Sequence, residues 1–310
     1  MNLNPDLSVS LNGLKLKNPV MTASGTFGYG KEFDDVIDLN QLGAIVVKGI
    51  SVKPMKGNPP PRIVETPAGM LNAIGLANIG IDNFLTDRLP WLNTLKTEVI
   101  VNIYGHSINE YGELASALKG VKGVSAIEVN ISCPNVDKGG LVFGKDPEVS
   151  ARVTEKVVKN TDKPVIVKLT PNVSDITILA KAVEQAGAHA LSVINTLTGM
   201  AVDVNTRRPR LGNISGGLSG PAIKPVALYM VYQTSYAVKI PVIGIGGILN
   251  ATDAIEFMIA GASAVQVGTA NFINPRATIE IIEGIRGYCI EKGISKISDI
   301  VGSLITSRQG

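Results

Sequence analysis

Residues Ser125–Asn135 read SAIEVNISCPN, and the way this stretch is taken decides the fold. Ile127, Val129 and Ile131 alternate with Glu128, Asn130 and Ser132, which is the period of a strand and not of a helix. The run is apolar and β-branched, and it ends in two amides, a cysteine and a proline. Pro134 has no N–H to give to a ladder and stops it. Polar groups gathered where a buried strand runs out match the C-terminal face of an α/β barrel, the face on which such barrels carry their chemistry.

Outward from this stretch the same unit recurs. From Pro19 onward, short apolar strands are followed by polar or glycine-rich loops and, in most cases, by an amphipathic helical segment. The strands expected are Val20–Ala23, Ala44–Lys48, Val99–Tyr104, Ala126–Ser132, Val165–Leu169, Ala190–Asn195, Val242–Gly246 and Ala264–Gly268. Alternating strands and helices predict a parallel sheet, and this many units in 310 residues predict a closed (β/α)8 TIM barrel, one domain over residues 1–310, in preference to an open doubly wound sheet. Among the scaffold helices, Asp175–Gln185 follows Ser174 as N-cap and stops before Gly187, and Thr252–Ile259 is closed by Gly261. Ahead of the barrel, Leu7–Leu16 alternates around Asn12-Gly13, a two-residue turn signal, and predicts a hairpin that caps the barrel's bottom. Three connections exceed what a barrel needs: Ser51–Pro90, Val136–Pro147 and Thr196–Gly220. All leave the C-terminal ends of strands, where long loops bind or cover something.

Composition excludes several classes. A net charge of +3 with 5% aromatic residues is no footprint for nucleic acid. The N-terminal residues lack the pattern of a signal peptide, and no apolar run reaches the ~18 residues of a membrane span, so a cytoplasmic protein is expected. Cys133 and Cys289 are the only cysteines. In a reducing compartment free thiols are the default, and two are too few for an iron–sulfur cluster, which takes about four thiolates. No metal site is expected.

The candidate chemistry lies at strand ends. Strands seven and eight end in VIGIGG and VQVGTA, at the usual phosphate site of such barrels; the alternative is that Gly244, Gly246 and Gly247 merely relieve crowding. The pattern is not a GxGxxG opening a helix, so a dinucleotide site on this chain is poorly supported. Lys48 and Lys168 close apolar strands. A buried ammonium needs a partner, and either lysine alone is balanced by the alternative of snorkelling to solvent, but the pair with a phosphate site opposite favours an anionic cofactor. Asn72, Asn102, Asn130 and Asn195, with Asn135 after the cysteine, pair donors with acceptors as a planar heterocycle requires, although turns account for one or two of them. Cys133 is read as a base or nucleophile against the alternative of a structural cysteine. His106 follows strand three, and His189 precedes strand six and so belongs to the opposite end.

These motifs are recognisable as a set. NISCPN, ASGTFGYG after the first strand, VKG at the second, NAIGL in the first long loop, VNIYG, VKLTPN, INT, IGGI and VGTA resemble the dihydroorotate dehydrogenases over essentially the whole chain. ASGTFGYG and NAIGLANIG are most similar to the class 1B, NAD-dependent branch; class 2 members carry a serine base and a membrane-associating extension. The resemblance implies oxidation of (S)-dihydroorotate to orotate in de novo pyrimidine (UMP) biosynthesis, with Cys133 as base. It implies one FMN across the barrel mouth, its phosphate at Gly246, Gly247, Gly268 and Thr269. Further flavin contacts would come from Ser24, Lys48, Gly49, Asn102, Asn130, Lys168, Ile194 and Gly220. Substrate contacts carry over to Lys48, Asn72, Ala73, Ile74, Gly75, Leu76, Asn130, Asn195 and Thr196, and Lys48 would stabilise charge on the reduced ring. It further implies an electron-transfer partner subunit with FAD and a 2Fe–2S cluster, and a homodimer within a heterotetramer. Competing readings are a class 1A fumarate-dependent homodimer, a dihydropyrimidine dehydrogenase, and a non-catalytic flavin-binding scaffold. The loop Val136–Pro147 is expected to act as a lid over Cys133.

Overall fold

The computed structural model describes residues 4–132, 134, 135 and 141–306. Eight parallel strands close into a barrel in the order Val20–Thr22, Ala44–Val46, Glu98–Ile103, Ala126–Asn130, Val165–Leu169, Ala190–Val193, Val242–Ile245 and Ala262–Val267, the last pairing with the first. All eight expected strands are present. Most stop one or two residues sooner than the apolar run, because the chain leaves the ladder to form the loops at the barrel mouth. In strand four, Ile127 and Val129 are fully buried, each side chain worth about 1.5–3 kcal/mol of transfer free energy. Glu128, between them, hydrogen-bonds to strand eight, which is not its neighbour in the sheet. That bond crosses the interior, so Glu128 faces the barrel axis and the two aliphatic side chains face the helices.

The N-terminal hairpin pairs Val9–Leu11 with Leu14–Leu16. Its turn residues take positive φ, 43° at Asn12 and 100° at Gly13, as a twisted two-residue hairpin loop requires. Asn12 donates to the carbonyl of His189 at 3.0 Å, and Gly13 sits against Pro164. Both contacts lie just before strands, so the hairpin closes the N-terminal end of the barrel.

Helix caps differ from expectation by one residue. Helix Ile176–Gln185 is capped by Asp175, whose carboxylate accepts from Thr177 N, and not by Ser174. The other helix begins one residue earlier, Ala251–Ile259, behind a reciprocal capping box between Asn250 and Asp253.

Two of the three long connections are not loops alone. Ile63–Thr66 and Gly69–Asn72 from the first, and Leu197–Gly199 and Gly216–Ser219 from the third, make one four-stranded antiparallel sheet above the mouth. Val64, Leu71 and Leu211 form a small core of its own. The second connection begins as a short ladder of Pro134–Asn135 with Leu141–Val142; Val136 to Gly140, on which the lid expectation rests, lie outside the described residues. Beyond it Phe143 is buried edge-on against Tyr111.

Gly244 illustrates how tightly the helices seat on the barrel: a Cβ there would stand 2.5 Å from the ring of Phe257. Gly287, exposed within helix Ala277–Lys292, has nothing near it. Gly244→Ala is therefore expected to lower stability by about 1–3 kcal/mol through overpacking, and Gly287→Ala to raise it by roughly 0.5–1 kcal/mol through helix propensity. Urea unfolding of the two variants beside the parent checks the opposite signs.

Candidate functional site

A cleft of about 620 Å³ opens at the C-terminal ends of the barrel strands, beneath the four-stranded sheet. One wall is a glycine cradle after strands seven and eight. Gly246 and Gly247 take φ of 131° and 72°, and a Cβ on them would strike Ala227 and Lys224 at 2.8 and 2.7 Å. These glycines are needed for the turn and its packing on the next helix. Among the described residues no protein group accepts from the N–H groups of Gly246, Gly247, Ile248 or Thr269. Lys224 braces the turn through ion pairs with Asp253 and Glu256 at 2.6 and 2.9 Å, while Asp253 accepts from Leu249 N at 2.8 Å. Gly268 and Gly220 line the same wall, and Thr269 Oγ1 donates to Ser219 Oγ at 2.8 Å. Gly244 does not reach the cleft; there the crowding explanation holds.

The floor is polar. Lys168 is buried, donates to Ser24 Oγ at 3.2 Å, and lies 3.7 Å from Glu128. Asn102 donates to Glu128 Oε1 at 2.6 Å. Ser192 and Gln266 donate to Oε2 at 3.0 and 2.6 Å. Ser24, Gly49, Asn130 and Ile194 complete this side of the lining. Lys48 lines it too and makes no ion pair among the described residues. Burial holds its ammonium below the ordinary lysine pKa, Arg62 adding to the effect and Glu32 opposing it. The two lysines are thus not equivalent. Lys168 already has a protein carboxylate, so its burial does not itself call for an anionic ligand.

The roof carries amides on a fixed frame. Asn72 donates to Gly217 O at 3.2 Å across the four-stranded sheet. Ala73, Ile74, Gly75 and Leu76 follow it along the cleft. Leu76 is held at φ 58°, a left-handed conformation uncommon for a large side chain, and its carbonyl accepts from Asn78 and Tyr104 at 2.9 and 2.7 Å. Asn195 donates to Asn130 Oδ1 at 3.2 Å and to Ser132 Oγ at 3.0 Å, and its own oxygen accepts from Thr196 N at 2.8 Å. The described residues that the family resemblance assigns to cofactor and substrate therefore line one cleft; Gly244 and Asn135 are not among them.

Cys133 lies outside the described residues; Ser132 before it lines the cleft. His106 packs edge-on against Tyr104. His189 is at the barrel's other end, where Nδ1 accepts from Val165 N at 3.2 Å and burial holds its pKa below the usual histidine value. Among the described residues no group of three or more His, Cys, Asp or Glu is placed to hold a metal ion. Nor is any helix there long and apolar enough to cross a membrane.

Sequence reasoning missed Glu128, Gln266 and Ser192 as site-supporting residues. It also missed Asn172, which donates to Thr196 O at 3.0 Å and accepts from Thr198 N at 2.9 Å. A glutamate and a glutamine inside buried strands were the available signal, since neither can sit there without partners.

The comparisons agree with this arrangement. The profile of the family described as Dihydroorotate dehydrogenase matches residues 6–288. Proteins called dihydroorotate dehydrogenase B (NAD(+)), catalytic subunit, are similar throughout. That of Geotalea uraniireducens (strain Rf4) is 61% identical over 302 residues, covering 97% of this chain and 99% of the relative. That of Thermoanaerobacter sp. (strain X514) is 58% identical over 299 residues, 96% of this chain and 99% of the relative. With a glycine cradle, a lysine-bearing floor and an asparagine-lined roof on a barrel matched from end to end, the chain belongs to the dihydroorotate dehydrogenase family.

Proposed function

We propose that this chain is the FMN-bearing catalytic subunit of an NAD-dependent, class 1B dihydroorotate dehydrogenase, carrying out the oxidation step of de novo pyrimidine biosynthesis in the cytoplasm. The observation that carries the proposal is one cleft with backbone N–H groups that have no protein acceptor among the described residues at one wall and convergent asparagines at the other. The first suits a phosphate and the second a planar ring with alternating N–H and C=O groups.

The residues fit FMN. Gly246, Gly247, Gly268 and Thr269 would hold its phosphate; Ser24, Lys48, Gly49, Asn102, Asn130, Lys168, Ile194 and Gly220 would meet the rest. FMN, when bound, supplies the acceptor for the hydride from C6 of dihydroorotate. The chain supplies the remainder. Asn72, Asn130 and Asn195, with backbone groups of residues 73–76 and Thr196, orient the substrate. The hydrogen bonds from Asn195 to Asn130 and Ser132 hold these amides in one orientation before substrate arrives, so little ordering is left to do on binding. Cys133 takes the proton from C5. Lys48, a cation with no ion pair among the described residues, stabilises negative charge that develops in the cleft.

The electrons must then leave. The sequence has two cysteines and no dinucleotide fingerprint, so passage to NAD requires a second subunit carrying FAD and a 2Fe–2S cluster, in a heterotetramer built on a homodimer of this chain. Val204 and Ile214, 82% and 73% exposed on the roof connection, are apolar surface available for such an assembly.

Three outcomes test this reading. Cys133→Ala should lose at least about 10²-fold in turnover, the range for a positioned acid–base group, while the purified protein stays yellow; near-normal turnover would remove Cys133 as the base. The profile of kcat/KM against pH should rise as the thiol, ordinarily of pKa about 8.5, ionises. It should then fall on the alkaline side as Lys48 deprotonates below the ordinary lysine pKa, and Lys48→Arg should push that fall to higher pH because a guanidinium keeps its proton. Dihydroorotate should bleach the flavin of the isolated chain without reducing NAD, and NAD reduction should appear on adding the FAD and iron–sulfur subunit. Efficient turnover with fumarate by the chain alone would point to class 1A instead.

A further inference from the structure

Glu128 has no place in the reaction, yet it is completely buried in the barrel and meets four other strands. Asn102 and Lys168 approach Oε1 at 2.6 and 3.7 Å, and Ser192 and Gln266 approach Oε2 at 3.0 and 2.6 Å. Two of these partners, Asn102 and Lys168, also line the cleft.

The chemistry of its neighbours bears on the state of the carboxyl. The nearest charge is the Lys168 ammonium, which favours the ionised carboxyl, and in all three hydrogen bonds Glu128 is the acceptor. At 3.7 Å the lysine is an electrostatic neighbour and not a hydrogen-bond donor. Asn102 turns Nδ2 toward this carboxylate. That leaves Asn102 Oδ1 near Gly49, where a Cβ would stand 2.8 Å from it, on the cleft side. Lys168 is left to donate to Ser24 Oγ. One buried anion therefore sets both the polarity of the amide and the charge balance of the floor.

We propose that Glu128 is a positioning residue that presents the oxygen of Asn102 to the cleft and cancels the charge of Lys168, leaving Lys48 as a lining cation with no ion pair among the described residues. The consequence concerns the redox poise of the bound cofactor, so the inference rests on the reading that FMN occupies the cleft. Removing the carboxylate charge leaves an ammonium uncompensated beneath it and favours the reduced, more negative flavin. Removing the ammonium leaves a lone carboxylate and does the reverse.

The test is the midpoint potential of the bound flavin, measured spectroelectrochemically in the parent, Glu128→Gln, Lys168→Met and the double variant. Glu128→Gln should move the potential positive by a tenfold or greater change in the reduced-to-oxidised equilibrium, ~30 mV for a two-electron couple. Lys168→Met should move it negative, and the double variant should return toward the parent, the non-additivity that coupled charges give. A purely structural role would loosen flavin binding in both single variants without shifts of opposite sign. Shifts in the same direction, or none for Glu128→Gln, overturn the proposal. If Glu128→Gln does not fold, the sign for Lys168→Met decides alone: a negative shift supports the proposal and its absence overturns it. Parent protein that binds no FMN, read by fluorescence titration of the flavin-free protein, would sink the cofactor assignment instead.

Discussion

A carboxylate out of reach of water has to be met by protein, and Glu128 imposes that requirement on five of the eight barrel strands at once. Each of its partners would otherwise be a buried polar group of its own, costing about 1–3 kcal/mol if left unsatisfied. The interior of many barrels is filled by layers of branched aliphatic side chains that interdigitate with some latitude. Here the layer under the mouth is a hydrogen-bonded knot, in which a shift of any one strand would strand several partners together. Polar networks of this kind rigidify as their groups are satisfied, and here every atom of Glu128 that accepts is met, while Gln266 Oε1 has no partner among the described residues. The cleft floor inherits that rigidity, because Asn102 and Lys168 belong to the knot and the lining alike.

The roof is built on the opposite principle, by connections that would be unstable separately. Strands Ile63–Thr66 and Gly69–Asn72 pair with each other, and the second of them pairs on its other edge with residues 216–219, far along the chain. An isolated two-stranded hairpin is marginal in water. Joined as four strands with Leu71 and Leu211 buried between them, the segments become one cover, and Asn72 and Thr196 reach the cleft from it as parts of a single sheet. The network of Asn78, Ser51 and Tyr104 then ties this cover to the barrel end through the carbonyl of Leu76.

The barrel was legible because its signal is local and repeated: eight apolar runs of strand length, each followed by a polar loop. The hairpin was legible from the alternation of Leu7–Leu16 around Asn12-Gly13. The roof was not, since GGLS and GMLN have weak strand propensity and owe their ladders to pairing with residues 145 positions away, as in the bond from Asn72 to Gly217. The cleft lining was legible because barrels place their chemistry at strand ends, and lysines and asparagines there are conspicuous. Glu128 and Gln266 were visible as letters but not as partners. Alternation shows that a side chain changes faces; it does not show that both faces of a barrel strand are buried, which is what turns an ordinary strand glutamate into a charge that needs three donors and a neighbouring cation.

The two lysines show why charge cannot be read from strand ends one at a time. Lys48 and Lys168 occupy equivalent places in the pattern, each closing an apolar run, and burial penalises both ammonium groups. Their difference comes from strand four, which gives Lys168 a carboxylate, whereas Lys48 makes no ion pair among the described residues. Lys48 therefore sits where desolvation is only partly offset, by Glu32, with its proton held less firmly than that of an ordinary lysine. A cation in that condition gains most from any negative charge that forms beside it, whereas a cation already paired gains little. The paired lysine serves geometry and the unpaired one electrostatics, and a single glutamate on the neighbouring strand makes the distinction.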